Sequence, residues 1–159
     1  IADDVAERLV LGSVAVKVQI VTGDEREGGR RRILNFGHTI GHALESTGGD
    51  GTITHGKAVA IGMAVESTIA VEAVGFPSRQ ADRLRETLRE FGLPISIPAS
   101  RRPSILRRIV VDKKNRDGLL RFALPTEIGR AIFPVAVSVD AVERVLTNAS
   151  LKGNHGDER

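Results

Sequence analysis

Several residue types that mark particular protein classes are missing from this chain of 159 residues. It has no cysteine, which excludes disulfides and thiolate-bound metal, so any metal must be held by His, Asp or Glu. It has no Trp or Tyr, and none of its five Phe lies in the most basic segment, residues 101–116. Because nucleic-acid binding usually needs aromatic stacking beside the basic groups, we expect no nucleic-acid partner. A charged, solvated face or a small-anion site is predicted there instead.

Long apolar runs are also missing. The most apolar run, residues 58–65, is too short to span a bilayer, so no membrane partner is expected. The chain starts with Ile, without a charged and apolar leader, which predicts that it lacks a signal peptide and is part of a longer protein. Together with the absence of cysteine, this predicts a cytoplasmic location. The apolar share of 41% and the charged share of 27% are those of a globular protein.

Hydrophobic spacing predicts a mainly α fold, a multi-helix bundle with a short β-hairpin near the C-terminus. One domain should cover residues 1–151, followed by a polar tail at 152–159. The hairpin is expected to pair residues 119–124 with 130–136. The third helix is apolar nearly all round and should form the centre of the bundle. The predicted helices cover residues 2–21, 31–46, 55–73, 78–91, 104–111 and a last one capped by Ser138. The first should bury one face, formed by Val5, Leu9, Gly12, Val16 and Ile20.

The second predicted helix carries the most informative pattern. Arg31, Asn35, His38, His42 and Glu45 step by four, three, four and three residues, so they should share one narrow helix face. An ordinary solvated face is rich in Lys, Glu and Gln, whereas this one has the composition of an active site. The opposite face carries apolar residues that should contact the core, namely Ile33, Phe36, Ile40 and Leu44.

Two glycines, Gly37 and Gly41, flank this stripe. Each costs a helix interior about 1 kcal/mol relative to Ala. Their presence predicts that another backbone or a ligand comes close to the helix.

The histidines suggest a metal site. His38 and His42 have the i, i+4 spacing that lets two imidazoles converge on one ion, and His55 begins the next predicted helix. Spacing alone leaves two arrangements open. Either all three histidines bind the ion, or one of the pair binds while the other is free for proton transfer. Glu45 could be a ligand or could orient a histidine.

Three sequence segments form a recognisable set of motifs: DEREGG at residues 24–29, RxxxNFGHTIGHALE at 31–45 and HGxAVAIGM at 55–63. They resemble the C-terminal half of the 3-dehydroquinate synthase family, a group of sugar-phosphate cyclases. Residues 112–115, DKKN, and the segment from Leu120 to Gly129 are similar to that family's late lysine motif and hairpin. The resemblance covers the chain up to about residue 151 and implies the helical zinc and substrate domain of such an enzyme.

The resemblance also implies roles for individual residues. His38 and His55 match two zinc ligands, and His42 matches a catalytic histidine near the substrate phosphate. Arg31 is a natural partner for a substrate carboxylate. The positions that match substrate-binding residues are Lys17, Arg31, Asn35, Lys113 and Lys114. Of the last two lysines, the resemblance implies that one contacts the substrate.

The activity that the resemblance implies is a lyase reaction of the shikimate pathway, which supplies aromatic amino acid biosynthesis. With NAD and zinc, the family converts 3-deoxy-D-arabino-heptulosonate 7-phosphate to 3-dehydroquinate and phosphate. A ring hydroxyl is oxidised, phosphate is eliminated, the ketone is reduced, and the ring opens and recloses. We expect a homodimer for the full-length protein. The alternatives are a cyclase that makes another cyclitol and a non-catalytic helical interaction domain.

The chain departs from the family pattern in three respects. The third zinc ligand is a glutamate upstream of this region, and the NAD site lies mainly in an N-terminal domain absent from this chain. Since no strand here is followed by a GxGxxG turn, the chain should be inactive alone. Lys57 stands where the family commonly has glutamate, and a cation there opposes the helix dipole.

Overall fold

The structure is a computed structural model that describes residues 3–23, 29–47, 53–115 and 118–151, with the side chains of 30, 110–115 and 149–151 left out of the description. Its helices and strands confirm the mainly α class with one hairpin. In chain order they are α1 (Asp3–Thr22), a 3-10 helix (Arg30–Asn35), α2 (His38–Ser46), α3 (His55–Val74), α4 (Ser78–Glu90), a 3-10 turn (Ala99–Arg101), α5 (Arg102–Asn115), β1 (Leu119–Glu127), β2 (Arg130–Ser138) and α6 (Val139–Leu151).

Helix α3 forms the centre of the molecule, as its apolar sequence predicts. It packs against α2, α4, α6 and β1. Ile61 and Ile69 are fully buried in the main core, and the α2 residues Ile40 and Leu44 pack with them. Thr54 lies at the N-cap position of α3 with extended backbone, but its side chain makes no capping hydrogen bond. Apolar packing on several sides therefore places α3.

The hairpin closes one side of the core. β1 and β2 are antiparallel, with Leu120 opposite Val137 and Phe122 opposite Val135, and the register shifts twice toward the turn. Phe122 is fully buried. The hydroxyl of Ser138 accepts a hydrogen bond from the N–H of Ala141 at 3.2 Å, which confirms the predicted cap of α6.

The prediction for the first helix is right in its bounds and wrong in its burial. None of the residues of α1 is buried. Val5, Leu9 and Val16, expected on the inner face, are 41–55% exposed, and Gly12 is also exposed. α1 packs against the 3-10 helix rather than the core, so the apolar stripe has too few neighbours among the described residues to be covered.

The second predicted helix is interrupted, which corrects the expected single helix over 31–46. Residues Arg30–Asn35 form a 3-10 helix, and α2 begins only at His38. Between them, Gly37 has φ +86°, a left-handed conformation that ends any regular helix. The five polar residues of the stripe therefore lie on two consecutive elements. Residues 24–28, the glycine-rich segment 48–52 and the segment 152–159, predicted to be a polar tail, lie outside the described residues.

Candidate active site and metal centre

A cleft of about 970 Å³ opens between α1 and the 3-10 helix. Lys17 reaches it from α1, Arg31 and Asn35 from the 3-10 helix, and His38 from the start of α2. Four predicted site residues therefore share one cleft although the helix that should align three of them is broken. The residues that line it are Arg8, Leu9, Gly12, Ser13, Val16, Lys17, Arg31, Arg32, Leu34, Asn35 and His38.

The cleft is cationic. Its described lining includes the side chains of Arg8, Lys17, Arg31 and Arg32 and no carboxylate. Sequence reasoning missed Arg8 and Arg32. The guanidinium of Arg32 also lies 5.4 Å from the ring centre of Phe133 in β2, which places the 3-10 helix against the hairpin. Such a lining attracts an anion, and guanidinium groups suit carboxylates and phosphates because they donate two parallel hydrogen bonds.

Three histidines converge at the end of the cleft marked by His38. The ring centres of His38 and His42 are 5.4 Å apart, as are those of His38 and His55, and His42 lies 6.0 Å from His55. His38 and His42 come from successive turns of α2, and His55 begins α3. The convergence of neighbouring helices on one point, predicted from the spacing, is present in the structure.

Hydrogen bonds on the other ring nitrogen orient two of these histidines. Nδ1 of His55 lies 3.0 Å from Oε1 of Glu45, and Nδ1 of His38 lies 3.4 Å from the carbonyl oxygen of Phe36. Since both oxygens only accept, each Nδ1 is the donor in its hydrogen bond, and in the neutral form of each ring the lone pair is then on Nε2. That is the arrangement of metal-binding histidines whose second nitrogen is held by a carboxylate or a carbonyl.

The spacing fits a zinc ion. Two imidazoles that bind one zinc ion tetrahedrally at about 2.0–2.1 Å have ring centres roughly 5 Å apart. The observed 5.4 Å between His38 and His55 is close to that value. Donor atoms of His42, Glu45 and His55 also lie within 4.8 Å of one another, a set that omits His38. Ring spacing therefore pairs His38 with His55, whereas the donor-atom distances among the described residues group His42 and Glu45 with His55.

A buried carboxyl group behind the histidines was not predicted. Glu66 of α3 has no exposed surface, and it accepts hydrogen bonds from the N–H groups of Gly37 at 2.7 Å and Ile40 at 3.0 Å. Burial raises the pKa of Glu66 to about 8, against the smaller lowering effect of main-chain donors from Ile40, Gly37 and Thr39. The sequence signal that could have found it is an acidic residue in the middle of the most apolar helix, whose other acidic residue, Glu72, lies in the last turn.

Other predicted residues lie farther along the chain. Lys57 is exposed in the first turn of α3, two residues after His55. Lys113 and Lys114 belong to the last turn of α5, and their side chains lie outside the described part of the structure.

Solved structures with this fold are sugar-phosphate cyclases. A 2-deoxy-scyllo-inosose synthase, complexed with carbaglucose-6-phosphate, NAD+ and Co2+, matches with a TM-score of 0.77 and 26% identity, over 89% of this chain and 40% of that one. A 2-epi-5-epi-valiolone synthase from Streptomyces hygroscopicus, with NAD+ and Zn2+ bound, shares the fold at a TM-score of 0.75 and 24% identity, over 95% of this chain and 42% of that one.

Sequence comparison identifies the family. The sequence model of the protein family described as "3-dehydroquinate synthase C-terminal" matches residues 1–115. The 3-dehydroquinate synthase of Prochlorococcus marinus (strain MIT 9303) is 40% identical over 147 residues, 92% of this chain and 40% of the relative. That of Thermodesulfovibrio yellowstonii is 36% identical over 145 residues, 90% of this chain and 40% of the relative. The chain belongs to the 3-dehydroquinate synthase family, which confirms the resemblance.

The chain spans 40% of the length of these two relatives. No helix among its described residues is long and apolar enough to cross a membrane.

Proposed function

We propose that this chain is the metal- and substrate-binding C-terminal part of a 3-dehydroquinate synthase, a phosphate-eliminating lyase of the shikimate pathway. The observation that carries the proposal is the junction of a cationic cleft with a three-histidine cluster in a chain of this family. The substrate is 3-deoxy-D-arabino-heptulosonate 7-phosphate, and the products are 3-dehydroquinate and phosphate.

The cleft provides the charges that this substrate needs. A heptulosonate phosphate carries a carboxylate at one end and a phosphate at the other. Arg31 binds the carboxylate, Lys17 approaches from the facing helix, and Asn35 hydrogen-bonds a sugar hydroxyl. Lys113 or Lys114 adds a further cation. Charge-assisted hydrogen bonds from two elements hold the substrate beside His38.

The histidines divide between metal binding and proton transfer. We assign His38 and His55 as metal ligands, because each has its Nδ1 held by an oxygen atom, which leaves Nε2 as the nitrogen to face an ion. Glu45 then orients His55. His42, one helical turn beyond His38, hydrogen-bonds the substrate phosphate and relays protons. A bound divalent ion supplies Lewis acidity toward a substrate hydroxyl.

We further propose that the chain needs the rest of the enzyme for activity. The described residues contribute two assigned metal ligands, one fewer than catalytic zinc sites commonly take from protein. They also contain no strand followed by a Gly-rich dinucleotide turn. An N-terminal domain would supply the third ligand and most of the NAD site. The cytoplasmic location and the homodimer stay predictions.

A second candidate is a cyclase for a different sugar phosphate. The match to 2-deoxy-scyllo-inosose synthase, solved with carbaglucose-6-phosphate, favours it. The two functions differ in whether the substrate has a carboxylate, and Arg31 is the residue that should detect it.

Turnover of the full-length protein tests the proposal. With NAD and zinc, we expect phosphate release from the heptulosonate phosphate and none from glucose 6-phosphate. Arg31→Met should raise KM by roughly 10- to 100-fold, the loss of a charged hydrogen bond. Release from glucose 6-phosphate alone would favour the second candidate, and release from neither would reject both.

Zinc content tests the assignment of the histidines. His38→Ala and His55→Ala should each lose stoichiometric zinc, whereas His42→Ala should keep zinc and lose rate. His155, the fourth histidine of the chain, lies outside the motifs and provides the matched control, His155→Ala. If His42→Ala loses zinc and His38→Ala retains it, the ligand set is His42, Glu45 and His55.

A further inference from the structure

Helix α2 lacks a cap of its own. The first N–H groups of a helix have no partner within the helix, and a Ser, Thr, Asp or Asn side chain usually accepts from them. The N-cap of α2 is Gly37, which has no side chain and a φ of +86°. A Cβ there would lie 2.5 Å from Cγ of Met63 and 2.8 Å from the carbonyl oxygen of Val59. A side-chain cap at this position is therefore sterically excluded.

Glu66 takes over the capping role from another helix. Its Oε2 accepts the N–H of Gly37 at 2.7 Å, and its Oε1 accepts the N–H of Ile40 at 3.0 Å. The side chain is completely buried, in a position 29 residues beyond Gly37 in the chain. A buried carboxyl group without hydrogen-bond partners is strongly unfavourable. These hydrogen bonds therefore keep the carboxyl group of Glu66 beside the first turn of α2.

A second contact lies one turn earlier on α3. A Cβ at Gly62 would lie 1.9 Å from the carbonyl oxygen of Gly37, so the two backbones touch. Positions 62 and 66 lie on the same face of α3. The first turn of α2 is thus held at two neighbouring points, one steric and one hydrogen-bonded.

This attachment links the two parts of the histidine cluster. His38 lies directly after Gly37, within the turn that Glu66 holds, and His42 follows one turn later. His55 begins α3, the helix that carries Glu66. A shift of the first turn of α2 along α3 would therefore change the distances between His55 and the other two rings.

We propose that Glu66 is a positioning residue for the metal centre: it holds α2 on α3 and so sets the places of His38 and His42 relative to His55. The proposal rests on the proposed function, because it concerns the ion assigned to these rings. Glu66 touches the main chain of α2 and acts on the ion only through the placement of the ligands.

The test compares two isolated changes on α3 in the full-length protein. Glu66→Gln keeps the size of the side chain but replaces one oxygen with an NH2 group. An amide NH2 cannot accept from an N–H, whereas both oxygens of a carboxyl group can, including the hydroxyl oxygen of its neutral form. Ser67→Ala is the matched control, because Ser67 is equally buried but bonds to Ala64 and Arg85, away from α2. Co2+ affinity, the visible spectrum of bound Co2+ and amide hydrogen exchange in α2 are measured for each.

We expect Glu66→Gln to lower Co2+ affinity by roughly 10- to 100-fold, as for other groups that orient metal ligands, and to shift the cobalt spectrum. Exchange at Gly37 and Ile40 should accelerate. Ser67→Ala should change none of these, even if it lowers Tm as much. Wild-type affinity and spectrum in Glu66→Gln, or equal losses in Ser67→Ala, would overturn the proposal.

The outcome also separates this inference from the proposed function. If the wild-type protein binds no Co2+ at the histidines, the proposed metal centre is wrong and the role of Glu66 for it is rejected with it. If the wild type binds Co2+ and Glu66→Gln binds it with the same affinity and spectrum, the metal centre stands and only the positioning role of Glu66 is rejected.

Discussion

Helices α1 and α3 are both twenty residues long and both rich in aliphatic side chains, yet their surroundings differ. Ten residues of α3 are buried, including Ile61, Gly62 and Glu66, whereas none of α1 is. Both helices contribute to the site: α1 brings Lys17 to the cleft, and α3 brings His55 to the cluster. Apolar content makes a helix suitable for burial, but only neighbouring elements on its faces bury it.

The largest expected difference between α3 and α1 is in the free energy of unfolding that is lost when an apolar side chain is shortened. Ile61→Ala in α3 should lower the free energy of unfolding by about 2–5 kcal/mol, because it leaves a cavity in a core that cannot collapse freely. Val14→Ala in α1, where the side chain is 52% exposed, should cost less than about 0.5 kcal/mol. Denaturant unfolding of the 159-residue chain measures both. Equal costs would contradict the comparison, and a large Val14 cost in the full-length protein alone would show that another surface covers α1.

Glycines in the two helices provide a second test. Gly62→Ala should destabilise by about 1–3 kcal/mol, because the new methyl group overlaps the Gly37 carbonyl oxygen. Gly12→Ala places its methyl group where no atom lies within 4 Å and should stabilise α1 by about 0.5–1 kcal/mol. Thermal unfolding of the two variants checks the opposite signs. A Gly62 variant as stable as the wild type would show that the α2–α3 contact is looser than described.

Lys17 tests whether α1 serves binding rather than stability. Lys17→Met should raise KM for the heptulosonate phosphate by roughly 10- to 100-fold, since one charged hydrogen bond is lost, while Tm stays unchanged. Arg83→Met, an exposed cation of α4 outside the cleft, is the matched control and should alter neither quantity. If Lys17→Met lowered Tm without changing KM, Lys17 would contribute to stability and not to substrate binding, which would contradict the role given to α1.

Glu66 should make the stability of the folded protein depend on pH. Since burial raises its pKa from 4.5 to about 8, the folded protein binds more protons at this group than the unfolded chain between those values. Its contribution to stability is therefore complete below about pH 4.5 and is lost as the pH rises through 8, by at most about 1.4 kcal/mol per pH unit.

Urea unfolding of metal-free wild type and Glu66→Gln from pH 5 to 8 measures this slope. The wild type should lose stability relative to the variant as the pH rises. Parallel curves would mean that Glu66 has the same pKa in both states.

Much of the site could be predicted from the sequence. Motif spacing led to His38, His42 and His55, which converge, and to Arg31 and Asn35. The family resemblance added Lys17, which shares the cleft with Arg31 and Asn35. The glycine prediction was also correct, because the backbone of α3 approaches both Gly37 and Gly41. These features depend on residues near one another in the chain, where helical periodicity places side chains reliably.

Three features could not be predicted in this way: the break between Asn35 and His38, the exposure of α1 and the role of Glu66. A left-handed Gly37 becomes favourable only when α3 lies against it and Glu66 accepts its N–H from 29 residues away. The exposure of α1 depends on which elements stand beside it. Packing between elements that are far apart in the chain leaves no periodic signal in the local sequence.

By itself, the sequence determined which segments form helices or strands and which side chains are candidates for the chemistry, because these follow from local spacing, residue type and family resemblance. Tertiary structure alone decided which apolar helix is buried, where the histidine helix begins and which carboxyl group holds it. The reason is physical: burial and long-range hydrogen bonds depend on distances across the fold, which no stretch of neighbouring residues encodes.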